Sequence, residues 1–508
     1  MSLRQTVIVL FLAIGWLPGS GSRLLAEARP TTVVTHGYQL GGKMPDWPYA
    51  LADAIARRVA AQGGEEGEVL VYEGSSGELV PCQESWCTAV GSAHTVIVFD
   101  WADDSNESGS GFSEAAAEAL FAGLVTWSQG DAPVVDLSRL HLIGHSRGAV
   151  VNSEVAERLV AAGFPAPDQV TTLDPHDSGG AFVEAGTVPE GGLDDYDVNQ
   201  EHPEYDCHAQ STTPGVCSWV GTGFHDNYWQ DDSNCFFLDP EGRELYGVAN
   251  FNQNSLDDPF CHSDTHRWYL LTADTDAETH PVTGLAPGPD WYGQGTQCAI
   301  SPRSTSLART VDGYNFSTAA GGTTNRCPAG PNQQQEVLFD FSLGEGLVNG
   351  DFERIRTSGA QAGWSFHGGS LQGTFGFDTD NYLILAGGGS ARHNRFFLPS
   401  GTISVQICRR VTAASASDVL SMTIDSWAFL EREMLSSEEQ SLAAATDWEC
   451  FDAPVLASER GTAVQIHLST SSQGSPEVLV DDLRLVLEEI FSDGFETGTT
   501  MDWSATVE

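Results

Sequence analysis

The most chemically loaded spacing in the chain is Gly144-His145-Ser146-Arg147-Gly148. An apolar run, Leu140 to Gly144, precedes the serine, and a helical pattern from Arg147 to Ala162 follows it. That is the signature of a strand–turn–helix elbow, which lifts a serine Oγ above a sheet while small flanking residues let helix and strand approach. The helix N-terminus favours negative charge developing there. Asp174 ends a later apolar run, Gln169 to Leu173, and His262 lies downstream in CHSDTHRWY. A carboxylate, an imidazole and a hydroxyl together suit acyl transfer: the imidazole takes the serine proton and the carboxylate fixes its tautomer. Two positions stay open. His266 competes for the base, and Asp226, in FHDNYW, competes for the acid. Asp177 competes less well. His36-Gly37-Tyr38 follows the first strand, and the N–H groups of Tyr38 and Arg147 are expected to bind the substrate oxygen. His36 and His145 read as parts of turn patterns, and His202, His208 and His225 as surface residues.

The elements that must hold these residues alternate. Thr31 to Thr35, Val69 to Tyr72, Thr95 to Trp101, Leu140 to Gly144 and Gln169 to Leu173 read as strands. Trp47 to Ala61, a segment from the N-cap Ser113 to Trp127, and Arg147 to Ala162 with a stop at Gly163 read as helices. Such alternation means an α/β fold: a mostly parallel sheet covered on both faces. Residues 180–261 look like a long insertion over the sheet, and 267–276 like a helix. Residues 330–345 read as a linker, and 346–490 as an all-β sandwich built from short alternating strands. Residues 491–508 form a short tail.

Composition narrows the function classes. The 508 residues carry 70 acidic against 23 basic side chains, a formal net charge of -47. Such a surface repels phosphate backbones and anionic bilayers, so nucleic acid is excluded as a partner. Residues 1–28 read as a signal peptide, with Arg4, an apolar stretch from Thr6 to Leu17, and Ala26-Glu27-Ala28 as a cleavage site. No later run is long and apolar enough for a transmembrane segment, so the expected localisation is secreted. Ten cysteines without a CxxC pair favour disulfides over zinc. Pairing by neighbours closes the shortest loops: 82 with 87, 207 with 217, 235 with 261, 298 with 327 and 408 with 450.

Five islands, THGY (35–38), VFDW (98–101), GHSRG (144–148), TLDP (172–175) and CHSDTHRWY (261–269), together resemble the lipases of the pancreatic lipase type. The resemblance covers about residues 31–275. It implies an α/β-hydrolase fold over 29–329, with Ser146, Asp174 and His262 as the triad and the turn at Tyr38 serving the oxyanion hole. Two features depart from that family. Arg147 stands where it carries an aliphatic residue, and the 180–261 region has no counterpart in its lid. LVNGDFE (347–353), Gly363-Trp364 and VLVDDLRL (478–485) resemble galactose-binding-like sandwiches, including carbohydrate-binding modules. That likeness makes Asp351, Glu353 and Asp482 candidates for a structural calcium, and Trp364 and Trp427 candidates for stacking on sugar. No cofactor is expected for catalysis. The expected function is a carboxylic ester hydrolase, a lipase or carboxylesterase acting on an ester or lipid. The competing readings are a carbohydrate esterase brought to polysaccharide by the sandwich, and a non-catalytic surface-binding protein on a hydrolase fold.

Overall fold

The computed structural model describes residues 28–487 apart from interior stretches, of which 178–215, 232–241, 275–313, 321–333, 354–361 and 374–380 are the longest. The signal-peptide and tail expectations therefore lie outside the described residues.

The first half of the chain is an eight-stranded, mostly parallel sheet in the order β3-β2-β4-β1-β5-β6-β7-β8. Its strands are β1 (Pro30–Thr35), β2 (Glu68–Glu73), β3 (Glu78–Pro81), β4 (Thr95–Asp100), β5 (Asp136–His145), β6 (Gln169–Leu173), β7 (His225–Trp229) and β8 (Ala249–Asn252). Only β2 and β3 pair antiparallel. The central strands read PTTVVT, TVIVFD and DLSRLHLIGH. Such near-continuous β-branched and apolar runs suit strands buried on both faces. Parallel register places Val33 beside Ile97 on one side and Leu142 on the other.

Helices cover the two faces. α1 (Trp47–Ala60) and α5 (His262–Ala273) pack on one, in a core with Val34, Val98 and Ile143. α3 (Phe112–Ser128) and α4 (Arg147–Ala161) pack on the other, with Val33, Ile97 and Leu142. A single turn, α2 (Ala102–Ser105), links β4 to α3. α3 reads FSEAAAEALFAGLVTWS and is buried along nearly its whole length. A helix apolar all round has to be covered all round, and here the sheet lies on one side and the C-terminal sandwich on the other.

That sandwich-type sheet has nine antiparallel strands, β9 (Trp364–Gly373), β10 (Asn381–His393), β11 (Phe396–Leu398), β12 (Thr402–Ala413), β13 (Val419–Ala428), β14 (Glu431–Ser441), β15 (Glu449–Pro454), β16 (Thr462–Thr470) and β17 (Glu477–Leu487). Its interior is a separate core including Leu385, Ile407, Ile424, Ile466 and Val480. The Cys408–Cys450 disulfide joins register partners of β12 and β15.

The structure corrects four expectations. Ser113 does not cap α3: Gly111 holds the cap position at φ 82°, and the Ser113 hydroxyl accepts a bond from Arg147 instead. The helix expected over 267–276 begins earlier, at His262, because Asp264 Oδ2 accepts the Cys261 N–H at 3.0 Å and closes a capping box. The 180–261 region is more than a cover. It supplies β7 and β8, which extend the parallel sheet. The described part of the 330–345 segment, residues 334–341, is a strap rather than a free linker. Gln335 exchanges backbone bonds with Ser218 and Val220, and Phe339 and Phe341 are buried in the α3/α4 core. There Phe341 and Phe397 both pack on Phe121, with ring centroids 5.9 and 5.4 Å away. Burial of the strap's two aromatic rings outweighs the polar composition that suggested a tether.

Candidate active site

Ser146 occupies the one-residue junction between β5 and α4, at φ 58° and ψ -128°. A non-glycine residue in that conformation costs on the order of 1–3 kcal/mol and persists only when its surroundings over-determine it. They do so here. The Ser146 N–H donates to the Leu173 carbonyl at 2.9 Å, and the Ser146 carbonyl accepts from Ala149 at 3.0 Å. The flanking glycines follow from close approach. A Cβ on Gly144 would stand 2.4 Å from the Gly148 carbonyl oxygen, and one on Gly148 would stand 2.5 Å from those of Thr35 and His36. Gly37 lies against Ser146 itself, since a Cβ there would lie 2.5 Å from Ser146 Cβ and 2.9 Å from its Oγ.

Asp174 follows β6 and is fully buried, at φ 49°. Its Oδ1 accepts the Gln230 N–H at 2.8 Å, and its Oδ2 accepts Gln230 Nε2 at 2.9 Å and His262 Nδ1 at 2.6 Å. Burial raises the carboxyl to about 8 on balance, against the lowering effect of the bonds from Gln230, the nearby His176 and the Gly242 amide. Donation from His262 Nδ1–H leaves Nε2 as the lone-pair nitrogen, the tautomer a general base needs. The His262 ring stands 4.5 Å, centroid to centroid, from the ring of His145, the residue that precedes Ser146. The structure thus brings Asp174 and His262 together, and sets the His262 ring beside the residue that precedes Ser146.

The turn after β1 is braced by His36. Its Nδ1–H donates to the Gly37 carbonyl at 2.7 Å, its own carbonyl accepts the Trp101 indole N–H at 2.9 Å, and its ring stacks on that indole. Burial holds the imidazole down at about 4, against the raising effect of the Gly37 bond, so it is neutral near pH 7. With the Gly37 carbonyl pinned, a trans peptide directs the Tyr38 N–H to the opposite side. The Arg147 N–H lies in the first turn of α4. Its side chain turns away into the fold, where Nε donates to Ser113 Oγ at 2.7 Å, Nη1 donates to the Glu107 carbonyl, and the guanidinium lies over Trp101. The Arg147 side chain therefore braces Trp101, Glu107 and Ser113.

The rival residues fall elsewhere. Asp226 accepts bonds from Thr171 at 2.6 Å and the Tyr228 hydroxyl at 3.0 Å, three residues back along the sheet from Asp174. His266 lies one turn beyond His262 and stacks on Trp47 at 4.4 Å. Asp177 pairs with Arg243 and accepts the Val216 N–H, anchoring the chain beyond β6. His225 is buried on β7, which corrects its reading as a surface residue; His202 and His208 lie outside the described residues. Gln230, which the sequence reasoning missed, carries no motif, and only its register beside β6 brings it to Asp174. A cavity of about 270 Å³ near the site is lined by Met44, Glu73, Asp100, Trp101, Asp103 and Asp104. It does not include Ser146, and burial raises two of its acids, Asp100 and, to about 6, Asp104.

The proposed calcium ligands do not fit a metal. Both Glu353 oxygens accept from Asn381, Asp351 accepts the Glu353 N–H, and Asp482 faces Arg484 at 3.6 Å. Among the described residues no group of three metal-ligating side chains converges. Trp364 is core: its indole N–H donates to the Asn349 carbonyl and its ring packs on Phe352 and His393. The Trp427 side chain lies outside the described residues. Two of the neighbouring cysteine pairs, 82–87 and 408–450, are formed. Cys217 and Cys261 are also disulfide-bonded, and Cys207, Cys235, Cys298 and Cys327 lie outside the described residues.

No protein-family model matches the sequence, and no curated protein matches it. Solved structures similar to this chain include β-sandwich carbohydrate-binding modules and an adhesin domain. The CBM22-1 xylan-binding domain from Paenibacillus barcinonensis Xyn10C is 13% identical over 28% of this chain and 93% of that chain, at a TM-score of 0.22. The family 11 module from Clostridium thermocellum, solved with a mixed-linked tetrasaccharide, is 14% identical over 27% of this chain and 93% of that chain, at 0.20. The K2 cleaved adhesin domain of Lys-gingipain is 12% identical over 27% of this chain and 97% of that chain, at 0.21. Scores this low carry no weight for what the chain binds. No helix among the described residues is long and apolar enough to cross a membrane.

Proposed function

We propose that the chain is a secreted serine hydrolase of the α/β-hydrolase type that cleaves carboxylic esters, as a lipase or carboxylesterase. The observation that carries this reading is the 2.6 Å bond from His262 Nδ1 to buried Asp174, beside an elbow that holds Ser146 at φ 58°. His262 Nε2 takes the Ser146 proton as Oγ attacks the ester carbonyl, and the Tyr38 and Arg147 amides receive the oxyanion. The imidazolium returns that proton to the leaving alcohol as the acyl-enzyme forms. A water activated by His262 then releases the acid. The strongly negative surface favours neutral esters over anionic interfaces, and the disulfides Cys82–Cys87 and Cys408–Cys450 suit an oxidising compartment.

A fluorophosphonate probe should label the protein at Ser146, and Ser146→Ala should abolish both labelling and turnover of short p-nitrophenyl esters. Equal turnover by the variant would sink the assignment. Acyl-chain profiling beside release of acetate from acetylated polysaccharide separates lipase-type from carbohydrate-esterase use of the same triad.

A further inference from the structure

The triad uses one imidazole, yet three are stacked behind the nucleophile. His145, the last residue of β5, has its ring centroid 4.5 Å from that of His262 and 4.6 Å from that of His266, which it meets edge-on. His266 in turn stacks on Trp47, the first residue of α1, with an interplanar angle of 19°. All three histidines are nearly or fully buried. The contact that decides their roles is His145 Nε2 to the His262 carbonyl oxygen, at 3.1 Å. A carbonyl can only accept, so Nε2 must carry the hydrogen.

We infer that His145 is a positioning residue, which ties the nucleophile elbow to the first residue of α5 by donating Nε2–H to the His262 carbonyl, with His266 and Trp47 as the wall that holds its ring in that pose. The inference rests on the triad reading. The bond links the residue before the nucleophile to the backbone of the base, so it sets how far the base stands from Ser146. Such a tie acts on kcat, because millimolar binding of a small ester does not depend on it whereas alignment of the proton transfer does. The link also has to stay uncharged while His262 cycles. Burial, the neighbouring His262 and His36 hold His145 well below the usual imidazole range, against the raising effect of its bond to the His262 carbonyl. Burial, His145, Arg267 and His262 do the same to His266. His176, 6.4 Å from the His262 ring, and Asp174 face the base from the segment after β6.

The test compares His145→Phe, which keeps a ring and loses the donor, with His145→Gln, whose amide nitrogen reaches toward the Nε2 position. Phosphonate labelling of the unaltered protein comes first. His145→Phe should lower kcat on a p-nitrophenyl ester by about 10- to 100-fold with KM held within about twofold, and should displace the acid limb of the kcat–pH profile; His145→Gln should recover most of the loss. Long-range proton–nitrogen NMR correlations on the unaltered protein at neutral pH should show His145 as the Nε2–H tautomer. A folded His145→Phe protein with unchanged kcat and pH profile overturns the inference, and so does an Nδ1–H tautomer even if that variant fails to fold. Absence of labelling at Ser146 would remove the triad reading, while the tautomer would still decide the contact.

Discussion

The sharpest consequence of the elbow concerns Gly37. Alanine there adds one methyl group 2.5 Å from Ser146 Cβ, 2.9 Å from its Oγ and 3.0 Å from the His145 carbonyl oxygen. Carbon atoms pack at about 3.5–4.0 Å, so the turn and the nucleophile must separate by about 1 Å. Neither partner can give cheaply, because Ser146 is fixed by its bonds to Leu173 and Ala149 and the turn by His36. Gly37 is not among the glycines at positive φ, so alanine brings no backbone strain of its own. A displacement of about 1 Å at a reacting group costs about 100-fold in rate, or about 2.7 kcal/mol, and overpacking costs stability on the order of 1–3 kcal/mol. Gly41→Ala, four residues on, is the matched control: it has open space around its Cβ but φ +88°, so it strains the backbone and leaves the nucleophile alone. The assay is kcat and KM on p-nitrophenyl butyrate, the rate of phosphonate labelling, and a thermal melt for all three proteins. Gly37→Ala should lose kcat and labelling rate; Gly41→Ala should lose only melting temperature. A Gly37→Ala protein with undiminished kcat refutes the contact between turn and nucleophile.

Other outcomes follow from the same geometry. Asp174→Asn should keep the fold and lower kcat by about 10⁴-fold, because the amide favours the wrong imidazole tautomer; steady-state kinetics at pH 7 and at higher pH check it. Phe397→Ala should cost about 3–5 kcal/mol and lower the melting temperature of the sheet and the sandwich together, and calorimetry showing two independent transitions would contradict this. His36 and His94 are held down at about 4 and about 3 by burial. Between those values and about 6.5 the unfolded chain binds the extra protons, so their contribution is complete above 6.5 and is lost as pH falls. That amounts to about 3 kcal/mol for His36 alone near pH 4. Urea midpoints at pH 7 and pH 4.5 should show the drop, and His94→Gln should flatten it.

Much of the parallel sheet was legible because its strands are short, apolar and bounded by turn residues, and the elbow was legible because each glycine answers a local clash. The order of Ser146, Asp174 and His262 could also be read directly. What resisted reading was tertiary. His225, Asn227 and Gln230 look like polar loop residues, yet β7 lies between β6 and β8, where its neighbours satisfy them, with Thr172 bonding Asn227 and Asp174 accepting from both the backbone N–H and Nε2 of Gln230. Asp226 competes with Asp174 as the acid in sequence; register, which sets Leu173 beside Tyr228, leaves Asp226 back along the sheet. The strap at 334–341 was hidden because Phe339 and Phe341 are too sparse to form a periodic pattern and become meaningful only against Phe121 and Arg158.

The aromatic seam of Phe121, Phe341 and Phe397 bears on how the two halves work as a machine. A sandwich on a string would merely raise the local concentration of whatever it touches. A sandwich packed on the outer side of α3 has no such freedom, and its faces keep one bearing relative to Ser146. Anything bound on those faces would meet the Ser146 elbow at a fixed angle and reach, so the joint would act as a jig.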